Sequence, residues 1–116
     1  MRPEELARSI KSLESSAADG ALMAREVARD RTKATFARAH ARELGEDVDH
    51  EAEKLNDADA NGEVAARKAA AVELAGAISQ ALGQIQTAPS SESEGRSAGD
   101  ALTRLGDRAS RLSAGL

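Results

Sequence analysis

Apolar residues recur along the first half of this chain every seven positions. Leu6, Leu13, Gly20, Val27, Ala34, Ala41, Val48 and Leu55 fall in one register, all of them apolar or small. Four residues on from each come Ile10, Ala17, Ala24, Arg31, Arg38, Gly45 and Ala52, of which only the two arginines fail to fit an apolar seam, and Leu44 widens the stripe. A sustained heptad repeat is the mark of an amphipathic helix that packs on another helix. Pro3 followed by Glu4 and Glu5 starts it, since proline suits the first helical turn and carboxylates complement the N-terminal dipole. Asp19-Gly20 is the obvious place for a break that would fold residues 3–18 back as a separate helix, and Gly45 is a second weak point. The register passes through both, which favours one helix over about 3–58, roughly 84 Å long at 1.5 Å per residue.

The polar run Asn56–Gly62 ends in Asn61-Gly62 and predicts a turn at about 59–62. A second helix is expected over about 63–86, with Val64, Ala71, Ala75, Ile78, Leu82 and Ile85 on its stripe. Residues 87–99, rich in Ser and Gly, read as a flexible linker. Ala98, Leu102, Leu105, Ala109, Leu112 and Leu116 then predict a short amphipathic helix within 100–116. The expected fold is all-α: a long antiparallel hairpin (1–86) plus a short C-terminal helix, assembling as a coiled-coil or four-helix-bundle-like oligomer.

The second helix is less than half the length of the first, so Leu6, Ile10, Leu13 and Val27 would lack cover within the hairpin. A second copy is the expected cover. The interaction seam is accordingly expected to comprise Leu6, Ile10, Leu13, Ala17, Ala24, Val27, Ala34, Ala41, Leu44, Val48, Ala52 and Leu55 of the first helix. Ala71, Ala75, Ile78, Leu82 and Ile85 are its counterparts on the second.

Composition changes the kind of core to expect. Leu, Ile, Val and Phe together number 19 of 116 residues, whereas alanine alone numbers 26. Alanine loses no side-chain entropy in a helix and lets helices approach closely, so helices here stack without filling a wide centre. There is no Cys, Trp or Tyr. A disulfide framework and a thiolate metal site are thereby excluded. No stretch approaches the roughly 20 apolar residues of a membrane span, and the Met-Arg-Pro-Glu-Glu start carries no apolar signal region. A cytoplasmic protein with no membrane attachment is the expectation.

The charges are divided sharply along the chain. Residues 25–42 carry Arg25, Arg29, Arg31, Lys33, Arg38 and Arg42 against Glu26 and Asp30, whereas residues 43–63 carry nine carboxylates against Lys54. A basic block beside an acidic one attracts a second copy laid antiparallel with an offset. The basic segment, through Arg25, Arg29, Lys33, Arg38 and Arg42, also offers phosphate contacts. Nucleic acid is the weaker alternative, because the chain has a net charge of −4, no recognition motif, and no aromatic residue but Phe36 for base stacking. His40, Glu43, Asp47 and His50 share one helical stripe and are weak candidates for a metal-binding bundle. No nucleophile, phosphate loop or cofactor motif accompanies them. The expected function is a non-enzymatic helical interaction or scaffold protein, a homo-oligomer with a dimer favoured and open to a further protein partner. Nucleic-acid binding through 25–42 and metal binding through the histidine stripe are the alternatives.

Overall fold

A computed structural model describes residues 1–116 and contains four helices and no strand: α1 (Pro3–Ala28), α2 (Ala34–Asp57), α3 (Gly62–Thr87) and α4 (Glu92–Ser113). Connections of four or five residues between successive helices make each an antiparallel neighbour of the last. Hydrogen bonds between the helices and their flanking residues confirm the directions. The Met1 ammonium donates to the Asp59 carbonyl, and His40 lies 3.4 Å from Asp19, both across α1 and α2. Ser79 on α3 donates to the Asp49 carboxylate on α2 at 3.0 Å. Arg67 on α3 donates to the carbonyls of Leu112 and Ala114 at the end of α4, at 3.3 and 3.0 Å. The result is an up-down-up-down four-helix bundle measuring 45 × 22 × 16 Å.

The long first helix is therefore two helices, and a span of 84 Å gives way to a molecule 45 Å in its longest dimension. Neither expected weak point makes the break. α1 ends where Asp30 adopts the left-handed conformation (φ +53°), with Arg31 N–H donating to Glu26 O at 2.8 Å and Asp30 N–H to Val27 O at 3.1 Å. This pair of bonds is the Schellman closure usually built on glycine. Asp is among the few other residues that tolerate the left-handed region, which is why the sequence carries no obvious stop there. The register survives the break because α2 resumes with its own buried stripe, Ala37, Ala41, Leu44, Val48 and Leu55.

Gly20 does not turn the chain because it is packed at the bundle centre. A β-carbon on it would lie 2.8 Å from Leu82 Cδ2 of α3 and 3.1 Å from Leu102 Cδ1 of α4. Gly62, by contrast, takes φ +59° at the start of α3, the conformation that Asn-Gly foretells.

Residues 92–99 are not a linker. Ser91 caps α4, accepting a hydrogen bond from Glu94 N–H at 3.2 Å, and Glu92 and Glu94 complement the helix dipole. A serine three residues before a glutamate is a helix-start signal that the surrounding Ser and Gly obscure. α4 thus has 22 residues, long enough to run along most of α1. α1 makes its most extensive contact with α4, and α2 with α3.

One core of 24 buried apolar residues runs the length of the bundle, ten of them alanine. Alanine at so many contact positions sets a close spacing between axes, and the α1–α3 diagonal closes while α2 and α4 do not touch. The expected intermolecular seam is this core. Leu6, Ile10, Leu13, Ala17, Ala24 and Val27 are 0–2% exposed within a single chain. Ala41, Leu44, Val48, Leu55, Ala71, Ala75, Ile78, Leu82 and Ile85 are buried with them, and Ala34 and Ala52 are half-buried. The chain supplies its own cover because α4 runs antiparallel along α1, with Gly95 and Gly99 of the supposed linker against Ala24 and Gly106 against Ala17.

Candidate functional site

Charge on the exterior follows from which face each helix turns outward. α2 buries its apolar stripe against α3 and α1, which leaves Glu43, Glu46, Asp47, Asp49, His50, Glu53 and Asp57 exposed on the side facing away from α4. Its acidic half lies at the end of the bundle where α1 begins, as the Met1–Asp59 contact fixes.

At the other end and on the other side, α1 and α4 enclose a groove of about 700 Å³. Its walls carry Arg25 and Arg29 from the last turns of α1 and Arg96 and Arg104 from α4, with Asp100 and Thr103 between them. The close approach of the two helices brings these four cations together. Gly95 and Gly99 make that approach possible, since a β-carbon on Gly95 would meet Ala28 N at 2.7 Å and Ala24 O at 2.9 Å. A larger residue at 95 would push α4 away and separate Arg96 from Arg25 and Arg29.

All four arginines are exposed, and none is in an ion pair. The chain forms three ion pairs, His40–Asp19, Lys54–Glu51 and Arg67–Glu63, and none involves the groove. Unpaired guanidiniums present planar forks suited to carboxylate or phosphate. Two further arginines, Arg108 and Arg111, extend the basic ridge beyond Arg104, lining a cleft between α4 and α3 beside Gln80, Gln84 and Asp107. Comparison with protein-family models, curated proteins and solved structures finds no match for this chain.

The residues of the basic segment are distributed by the break after α1. Arg25 and Arg29 enter the groove, whereas Lys33 precedes α2 and Arg38 and Arg42 lie on it. Arg38 donates to the Gln86 carbonyl near the end of α3 at 3.4 Å. Arg96 and Arg104 escaped the sequence reading as partners of Arg25. Their spacing with Asp100, four residues apart each way, places all three on one stripe once α4 is known to start at Glu92.

The histidine stripe stays on one continuous helix, α2, but its two histidines meet different neighbours. His40 sits between Asp19 and the edge of Phe36, whose ring centroid is 5.7 Å away. His50 lies with Asp47 and Glu51 of its own helix beside Lys11, Ser12 and Ser15 of α1. No three of the chain's His, Asp and Glu side chains converge in a way that could hold a metal ion. No helix is long and apolar enough to cross a membrane.

Proposed function

We propose that this protein is a non-enzymatic helical interaction module of scaffold type, engaging partners, a second copy included, through the charged exterior of its bundle. The apolar seam that first suggested self-association is consumed by the fold, so the association surface has to be sought outside it. The observation supporting this reading is a groove lined by four unpaired arginines near one end of the molecule and a run of six exposed, unpaired carboxylates on α2 toward the other. Isolated surface pairs contribute only about 0–1 kcal/mol each, but blocks of opposite sign steer encounter and set orientation. Light scattering over a range of concentrations tests it. Mass should rise above that of a single chain at low ionic strength and return to it at about 1 M salt, where the Debye length falls to about 3 Å. A single-chain mass at every concentration in low salt would remove self-association from the reading.

Nucleic acid is a second reading, favoured by one observation: the groove adds Arg96 and Arg104 to Arg25 and Arg29. Asp100 inside the groove and the lack of any aromatic residue in its lining count against phosphate and base recognition. Oligonucleotide affinity that falls steeply with salt and disappears when Arg96 and Arg104 become Glu would establish it.

A further inference from the structure

The arginine groove and the acidic face of α2 occupy opposite ends and opposite sides of the same bundle. α2 and α4 do not touch, so neither set of charges neutralises the other within one chain. The acidic face is dense: Glu43, Glu46, Asp47, Asp49, Glu53 and Asp57 are all exposed, and none of them is in an ion pair. It is also uninterrupted, being carried on one continuous helix to Asp57. The groove between α1 and α4 is lined by four arginines against one carboxylate, Asp100.

We infer that the groove's occupant is the acidic face of α2 from a second copy of the chain, so that copies associate head to tail. The inference rests on the self-association reading above and names its surface. Charge complementarity carries it. A guanidinium fork can grip a carboxylate with two parallel hydrogen bonds, and Glu46 and Glu53, seven residues apart, project from one side of the α2 cylinder toward such forks. The contact uses a different patch on each partner, so it is heterologous. A heterologous contact does not close at two copies unless the rotation happens to complete a ring. Assembly therefore continues with concentration, in contrast to a symmetric dimer. Burying like charges against each other would disfavour parallel, in-register pairing of two acidic or two basic faces.

Two double variants test the surface, both at exposed helical positions outside the core. Arg96→Glu with Arg104→Glu reverses the groove, and Glu46→Arg with Glu53→Arg reverses the α2 face. Each variant is first checked by circular dichroism for an unchanged helical, cooperatively melting fold. If one fails that check, the other carries the test alone against the wild type. Each variant by itself should associate at least ~10-fold more weakly than wild type at low salt, since like charges then face each other. Mixing the two variants should restore association, through one reversed groove meeting one reversed face. Wild-type self-association that both variants retain to within ~2-fold would overturn this interface while leaving self-association standing. A wild type that stays single at every concentration would overturn both. A single-chain wild type that binds an oligonucleotide through Arg96 and Arg104 would overturn the inference and assign the groove to phosphate.

Discussion

Glycines in the helices of this bundle respond to opposite demands. Gly95 lies where α4 crosses the backbone of α1, and a β-carbon there meets Ala28 N and Ala24 O, atoms that cannot swing aside. Gly76 on α3 and Gly45 on α2 have nothing within 4 Å of the same position. Replacing a helical glycine with alanine is worth up to about 1 kcal/mol when space is free. Overpacking against fixed atoms costs about 1–3 kcal/mol. Gly76→Ala and Gly45→Ala should therefore raise the urea midpoint, and Gly95→Ala should lower it. Gly20→Ala should fall between, because its neighbours are the flexible ends of Leu82 and Leu102. Asp30, at φ +53°, makes the complementary case. Asp30→Gly relieves a left-handed residue of its side chain and should stabilise by about 0.5–1 kcal/mol, measured by the same denaturation, with no change in helix content. None of these roles can be read from the residue type alone. The sequence offers nine glycines, and only packing separates those that make room from those that merely weaken a helix.

At the scale of elements, the start of α4 at Ser91 turns residues 92–99 from a tether into helix. That first part of α4 packs on the end of α1, with Gly95 against Ala24 and Val27 and Gly99 against Ala24. Ser91→Ala should cost about 0.5–2 kcal/mol, the usual value of an N-cap, seen as a lower melting temperature. Removing residues 88–116 is the stronger perturbation. The remaining three helices would expose a stripe of fully buried residues. Such a fragment should either lose cooperative melting and bind a hydrophobic dye, or pair with a second copy through that stripe. A monomeric fragment that melts cooperatively would show that α4 is dispensable for the core. The position of α3 was legible in advance: it begins at Gly62 and ends at Thr87, against an expected span of about 63–86. Asn-Gly is a strong local signal, whereas an aspartate in the left-handed region and a cap hidden in a Ser-Gly run are weak ones.

For the whole molecule, the heptad analysis and the fold agree on which residues are apolar contacts and differ on whose contacts they are. Almost every seam residue is buried, so periodicity found the core. It could not say whether the cover comes from α4 of the same chain or from another chain, because a stripe looks the same to either. The charged groove shows the same division. Arg25 and Arg29 stood out as part of a basic segment, but their companions Arg96 and Arg104 come from residues about 70 positions away. The salt-dependent mass expected of head-to-tail copies belongs to this scale, as does its loss in the variants reversed at Arg96 and Arg104 or at Glu46 and Glu53.

Helical class, the apolar stripes, the Asn-Gly turn and the block pattern of charge were determined by the sequence alone. Each depends on neighbours within a turn or two of helix, and side chains three, four and seven apart share a face whatever else the chain does. Tertiary structure decided the rest: where the first helix stops, that α4 covers α1, and which arginines share a groove. Those outcomes depend on the distance between helix axes. That distance is set by small residues such as Gly95, Gly99 and Gly20 meeting particular partners, and no local pattern encodes the partner.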